Sequence, residues 1–400
     1  MKLGKTVIFV VLSIVIGIIF RQPKNGTTSK GFVKPGYEQI RRIFDSSVIN
    51  CSSILKYEKE GLAVAVYRNN ELVADLWGGY AERDAFRLWE KDTLSIGFST
   101  TKTIGAFTIA ILASRKQLNY NDKVIKYWPE FGKYDKENVT IQWLVEHKAG
   151  LIKFDGDMNV TQANDHQYVS HLIENTKPMW PPGTEIGYHA LTYGWLIDQI
   201  VRRTDPKKRS LAEFYMQEIR PLAKDKDYFI GLPKSEQYRM ARIVQATWPE
   251  YIKGIIKNPF FIRFAFKNVM ENYDITDYKG LMNIAANYPP FMTVLKREMP
   301  YNDPKVQQVQ NCAVSGYGTA RGLGAVISAI LQSNLISPEI WKQLSKPTAL
   351  VTDRVARLHS YRGHGFFYEL HPTRDGEYLM MHTGHGRQKV IIDLHTKVGL

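Results

Sequence analysis

The feature that most constrains this chain is the stretch over residues 94–115, LSIGFSTTKTIGAFTIAILASR. Ile104, Ala106, Phe107, Ile109, Ala110, Ile111 and Leu112 leave a helix here no polar face, so it has to run through the middle of a core. Two polar groups interrupt its start: Ser99 and, three residues on, Lys102. At 3.6 residues per turn they share a face. A lysine at the wall of an apolar core tends to lose its proton, and a serine at a helix N-terminus lies where developing negative charge is stabilised. A hydroxyl beside a potential base is the arrangement needed for a covalent acyl-enzyme. The competing reading is an N-cap serine with a solvated lysine. S-x-x-K is short enough to recur by chance, as it does from Ser53 to Lys56.

Four hundred residues suffice for one large domain or two ordinary ones. The net charge of +14 raises the question of nucleic acid. The basic residues are dispersed, however, and no zinc finger, RNA-binding signature or basic helix accompanies them. A solvated basic surface, with some preference for anionic lipid headgroups, is the reading adopted. Two cysteines, Cys51 and Cys312, form no disulfide framework and no thiolate metal site. Six of the ten histidines follow residue 358. No HExxH or HxHxD spacing joins them, so neither metal nor cofactor is expected. A GxSxG elbow is also missing, which argues against an α/β-hydrolase.

Lys2 and Lys5, a charge-free run over residues 6–20, and Arg21 give residues 1–21 the layout of a signal peptide or membrane anchor. The run is shorter than the roughly 20 residues of a full span. Without small residues ahead of a cleavage site, an uncleaved anchor is favoured. Asn25, Asn50, Asn138 and Asn159 each open an N-x-S/T sequon, consistent with a lumenal or extracellular body. The secretory pathway, membrane-anchored or secreted, is the expected location, with mitochondria as the alternative. Residues 22–36 read as a polar linker, and 37–57 as an amphipathic helix. Residues 62–67 and 71–77 read as a hairpin across Asn69-Asn70. Helical patterns then dominate: a helix capped by Thr140 and ending at Gly150, one opened by a capping box over residues 210–213 and limited by Pro221, one over 320–334, and one started by Ser337-Pro338. Residues 234–300, rich in aromatics and Lys/Arg, read as a helical insertion or lid. Strand character returns at 363–370, 377–384 and 388–394. Strands at both ends of a helical middle imply one sheet built from the two chain ends. The expected division is a sheet lobe of 37–98 and 350–400 and a helical lobe of 99–349, within one domain of 37–400.

Two further fragments can bring chemistry to Ser99. PPGTEIGYHALTYG sets Tyr188 after a turn and before a helix, where a tyrosine beside a lysine can relay a proton. The bland alternative is a tyrosine packed on the helix that follows. His382-Thr383-Gly384-His385-Gly386 ends a strand; its glycines allow close approach of a ligand backbone, and His382 can donate to a carboxylate or oxyanion. A lone strand histidine is more often structural.

In this order, Ser99-Thr100-Thr101-Lys102, Tyr188-His189-Ala190 and His382-Thr383-Gly384 resemble the motifs of the serine β-lactamase and penicillin-binding-protein superfamily. The similarity is to its class C, peptidase S12-type and esterase-like side, above all to animal β-lactamase domain-containing proteins. Residues 124–131, 139–151, 180–188 and 316–323 carry supporting likeness. The resemblance implies an α/β (α+β) β-lactamase/transpeptidase-like fold: an antiparallel sheet flanked by helices, plus a mostly helical second lobe. It also implies that Ser99 is acylated and that Lys102 and Tyr188 shuttle its proton. The oxyanion would be held by the N–H groups of Ser99 and His385, with His382, Thr383 and Gly384 on the substrate side. The implied function is serine hydrolysis of a small amide, ester or peptide. The alternative is a catalytically weak, membrane-tethered protein with a binding or assembly role; no oligomeric state is implied. Two departures stand out. Ala190 replaces the motif's asparagine, which removes an amide that helps to fix the lysine and the substrate carbonyl, and so bears on β-lactam or peptide turnover more than on acylation. Related proteins also continue beyond the strand following HTG, so a chain stopping at Leu400 is expected to expose a strand edge.

Overall fold

The computed structural model describes residues 29–48, 61–245, 280–296 and 298–399. The segment expected to be an anchor, Asn25, Asn50, and most of the expected insertion lie outside these.

The hairpin forms as the alternation predicts, with β2 (Gly61–Arg68) and β3 (Glu71–Glu82) paired antiparallel. Asn69 and Asn70 take φ of 51° and 60°. These are the left-handed values a two-residue type I′ turn demands, and asparagine accepts them readily. The linker expectation is corrected at one place: β1 (Lys30–Val33) is an edge strand on β3, with Val33 opposite Ala74. Gly31 makes this pairing possible, since a Cβ there would stand 1.9 Å from the Asp75 carbonyl oxygen. Helix α1 (Glu38–Val48) confirms the first part of the expected amphipathic helix.

From the other chain end come β8 (Ala349–Thr352), β9 (His359–Gly363), β10 (Phe366–Leu370), β11 (Tyr378–Thr383), β12 (Lys389–Asp393) and β13 (Val398–Gly399). Together with β4 (Arg87–Leu88) on β3, they complete a ten-stranded sheet of order β1-β3-β2-β13-β12-β11-β10-β9-β8. The two chain ends thus meet at β2 and β13, where Val398 pairs with Arg68. The expected exposed edge at the last strand is corrected by this register, because β13 lies between two strands. The strand expected over 363–370 begins later, at Phe366, and Gly363 is the last residue of β9. His364 and Gly365 turn at φ 51° and 90°, and a Cβ on Gly365 would meet that of Ala106 at 2.9 Å.

The apolar helix is α2 (Lys102–Ser114), and Lys102 through Ala113 are all buried. It packs on β11 from one side and on the later helices from the other. Burial of each large aliphatic or aromatic side chain here contributes about 1.5–3 kcal/mol. Thr140 caps α3 (Ile141–Val145), its Oγ1 accepting from the Trp143 N–H at 3.1 Å. That helix stops five residues before Gly150, as His147 takes a φ of 64°. Next come α4 (His166–Glu174), α5 (Thr192–Thr204), α6 (Ala320–Gln332) and α7 (Pro338–Leu344). Ser210 and Glu213 form the expected capping box. The helical middle holds one feature the periodicity does not show, a small sheet of order β5-β7-β6. Its strands are β5 (Ser95–Ile96), β6 (Tyr228–Ile230) and β7 (Gly316–Gly318). No helix among the described residues is long and apolar enough to cross a membrane.

Candidate active site

The small sheet delivers Ser99. β5 pairs with β7, and the Gly97 N–H donates to the Gly316 carbonyl at 2.7 Å. Phe98 then takes a φ of 45°, unusual for an aromatic residue and a strain of about 1–3 kcal/mol. Its buried ring, edge-on to Tyr301 at 5.3 Å and to His385 at 5.5 Å, over-determines that conformation. The Thr100 and Thr101 hydroxyls tie the turn by donating to the Gly97 and Phe98 carbonyls at 2.8 and 2.7 Å. Ser99 sits half-exposed on this turn while its neighbours on either side are buried.

Ser99 makes no capping bond, and Lys102 is fully buried, which removes the reading as a capped helix with a solvated lysine. The Lys102 Nζ lies 2.8 Å from the Ala190 carbonyl, 2.9 Å from the Ala313 carbonyl and 3.2 Å from the Ser99 Oγ. Burial lowers the ammonium from the ordinary value of 10.5 to about 7. A neutral amine has two hydrogens and one lone pair. With the hydrogens on the two carbonyls, the lone pair faces Ser99 and can accept its proton. The Ala190 carbonyl that holds Nζ is backbone, which any residue at 190 supplies, so it does not stand in for the amide that the alanine lacks.

Tyr188 comes from the loop before α5, with its ring centroid 4.8 Å from the Lys102 Nζ. Burial raises its phenol, and a hydrogen bond with Ser99 pulls it partly back. The phenol is therefore protonated at rest, which leaves Lys102 as the resting base. The loop is clamped: the Gly187 N–H donates to the His147 carbonyl at 3.0 Å, and the Tyr188 N–H to Asp353 Oδ1 at 3.1 Å. Asp353 is held in turn by the Arg362 guanidinium at 2.6 Å, a buried pair.

β11 brings the third fragment alongside. Gly384 packs so closely that a Cβ there would stand 2.7 Å from the Gly97 carbonyl oxygen. The Gly384 N–H donates to the Gln388 carbonyl and the Gly386 N–H to Gln388 Oε1. No hydrogen bond of the His385 N–H is found among the described residues. That leaves this amide, beside the Ser99 turn, as the one suited to an oxyanion. Thr383 is exposed and His382 buried. The His382 Nδ1 is 3.0 Å from the Thr383 carbonyl, which can only accept, so Nδ1 carries the hydrogen. Burial lowers this imidazole to about 3. Nε2 is therefore bare, buried and without a partner among the described residues, so it is an acceptor and not the expected donor to a carboxylate.

Ser99, Lys102, Tyr188 and the 382–385 segment are thus brought together. Asn138 and Asn159 lie exposed and away from them, and Asn159 caps a short helix. The sequence reading missed His147, Asp353 and Arg362. Only the run containing His147 carried any signal, as part of the resemblance. Among the described residues no group of three or more His, Cys, Asp or Glu is arranged to hold a metal ion.

A model of the beta-lactamase family matches residues 40–400. The chain is 32% identical over 274 residues to the esterase/beta-lactamase LipL of Mycobacterium tuberculosis, covering 68% of this chain and 58% of that protein. It is 26% identical over 125 residues to a beta-lactamase of Escherichia coli, covering 31% of this chain and 32% of that one. The chain therefore matches less than two thirds of the length of either relative. Among solved structures, a family VIII carboxylesterase superposes with a TM-score of 0.75 at 23% identity, covering 93% of this chain and 92% of that one. A penicillin-binding protein homologue from Caulobacter crescentus superposes with a TM-score of 0.73 at 24% identity, with the same coverage. At such identities these likenesses show the fold alone.

Proposed function

The chain belongs to the beta-lactamase family of serine hydrolases, and from that premise we propose that it hydrolyses a small ester, amide or peptide through an acyl group on Ser99. The observation that carries this is the Lys102 amine, buried, oriented by two carbonyls and 3.2 Å from the Ser99 Oγ. In the first step the Ser99 O–H proton passes to Lys102 as Oγ bonds to the substrate carbonyl carbon. The carbonyl π pair moves onto oxygen, which the N–H groups of His385 and Ser99 receive; such a donor typically contributes about 3–4 kcal/mol. Tyr188 gives its proton to the leaving group and regains one from the Lys102 ammonium. Water repeats the sequence and frees the acid. The name of LipL carries both an esterase and a beta-lactamase activity, which supports testing an ester and a β-lactam side by side.

The test is to label the folded protein with a fluorophosphonate and with a fluorescent penicillin, then locate the adduct by mass spectrometry. The expected adduct is on Ser99, gone in Ser99→Ala and at least about 100-fold slower in Lys102→Ala. A folded protein that takes up neither probe is instead a binding protein that keeps the fold.

A further inference from the structure

We propose that His147 is the positioning residue of Tyr188, holding the relay phenol against Ser99 and Lys102. This rests on the reading of Tyr188 just given. Three successive backbone N–H groups around the tyrosine are each fixed by a group from elsewhere in the chain. Gly187 donates to the His147 carbonyl at 3.0 Å, Tyr188 to Asp353 Oδ1 at 3.1 Å, and His189 to the His147 Nδ1 at 3.2 Å. One residue therefore grips both sides of Tyr188, with its backbone on one side and its ring on the other. The ring also lies 4.9 Å from that of Tyr188 and 4.9 Å from that of Tyr193.

The grip depends on one tautomer. Nδ1 can accept from the His189 N–H only if it carries no hydrogen, which places the hydrogen on Nε2. Burial, with the charges of Arg362 and Lys102 and the neighbouring imidazoles adding to it, keeps the ring neutral. The backbone is set as well. His147 follows the end of α3 at a φ of 64°, a conformation that histidine and asparagine adopt more readily than bulky apolar residues. Asp353, the third point, is itself tied down by hydrogen bonds: it accepts from Arg362 at 2.6 Å and from the Val355 and Ala356 N–H groups at 2.8 and 2.6 Å. A misplacement of about 1 Å in such a relay is worth about 100-fold in rate.

The test measures the rate of hydrolysis of a short alkyl ester, whose alkoxide leaving group needs the Tyr188 proton, in His147→Phe, His147→Asn, Tyr188→Phe and the His147→Phe/Tyr188→Phe double variant. Fluorophosphonate labelling of Ser99, whose fluoride leaves without a proton, is the control and should change by less than about fivefold. Phenylalanine keeps the ring contacts and loses the acceptor. Asparagine offers an amide oxygen near the place of Nδ1 and tolerates the left-handed backbone. Expected are a fall of about 100-fold in His147→Phe and a rate within about fivefold of wild type in His147→Asn. On the Tyr188→Phe background, His147→Phe adds less than about twofold, since the relay it serves is already gone. If His147→Phe does not fold, His147→Gln, whose acceptor sits one carbon further out, takes its place and is read the same way. Wild-type rates in the ring-only variant, or equal losses on both backgrounds, overturn the inference alone. A folded wild-type protein without an adduct on Ser99 overturns the reading beneath it.

Discussion

The chemistry of a single amine sets the pH behaviour of this site. Lys102 works as a base only when neutral, and burial lowers it to about 7. Labelling of Ser99 is therefore expected to rise about tenfold per pH unit below 7 and to level off above it, a limb that a pH–rate profile measures directly. The same shift enters stability. An unfolded lysine keeps its proton up to 10.5, whereas the folded one releases it near 7. Between those values the unfolded chain binds more protons, so the native state gains stability as pH rises through that window. Below about 7 both states are charged, and the folded state bears the whole burden of a buried ammonium. Urea unfolding of wild type and Lys102→Met at pH 6 and pH 9 should show the difference moving in the wild type's favour by a few kcal/mol (about 1.4 kcal/mol per pH unit). A difference that stays flat would mean that the amine does not titrate. Ser99 and Lys102 were legible in the sequence because one helical turn separates them in an all-apolar stretch. At position 190 only half of the site was legible: a missing amide is visible in a sequence, and a backbone carbonyl that holds the amine whatever the side chain is not. His147 acts through its carbonyl and one ring nitrogen on residues about 40 positions away, and no local pattern records that.

Elements matter here mainly by how closely they approach one another. Where the end of β11 meets the Ser99 turn, Gly384 leaves no room: an added Cβ would lie 2.5 Å from Gln388 Oε1 and 2.7 Å from the Gly97 carbonyl oxygen. The Gln388 amide can swing away, but the carbonyl cannot. Gly384→Ala should therefore slow Ser99 labelling by at least about tenfold by moving the His385 N–H off the oxyanion position. Thermal unfolding should shift by only a few degrees, which separates a displaced site from a damaged core. A second element is closed by a buried cation. The Lys136 Nζ donates to the carbonyls of Ile173, Glu174 and Thr176 at 2.9, 3.1 and 2.6 Å, at the end of α4. Helix ends leave carbonyls without partners, and a lysine there also meets the negative pole of the dipole. Lys136→Met should cost about 2–4 kcal/mol in urea unfolding, because buried carbonyls are left unsatisfied. The strands and long helices were readable from alternation and caps. Their limits were not wherever a left-handed residue intervenes. His147 ends α3 early, His364 and Gly365 turn the chain between β9 and β10 so that the expected strand starts three residues late, and Gly31 turns an apparent linker into a sheet edge.

Across the whole molecule, α6 is where the large and small sheets are held in one arrangement. It packs against β2, β3 and β13 on one side and β6 on another, and the Thr319 N–H preceding it donates to the Asp227 carbonyl at 2.9 Å. Arg321 sits in its first turn, where a cation meets the positive pole of the helix dipole and needs anions to hold it. Two are supplied from different parts of the fold: Asp75 of β3 at 2.9 Å, and Asp225 just before β6. Asp75 is nearly fully buried, so the bridge is worth little as a net gain, and breaking it is expensive. Arg321→Met should destabilise the protein by about 3–5 kcal/mol by leaving the Asp75 carboxylate uncompensated. Replacing both partners, as in Asp75→Asn/Arg321→Met, should restore at least about half of that loss, because no buried charge then remains on β3. The urea midpoints of the two variants measure this. The rate of Ser99 labelling per folded molecule should change by less than about twofold in either, since the nucleophile's turn is tied to β7 and not to Arg321. A labelling rate that fell while the midpoint held would instead show that the bridge acts on the Ser99 turn, and the link between the sheets would then belong to the catalytic apparatus and not to the stability of the fold.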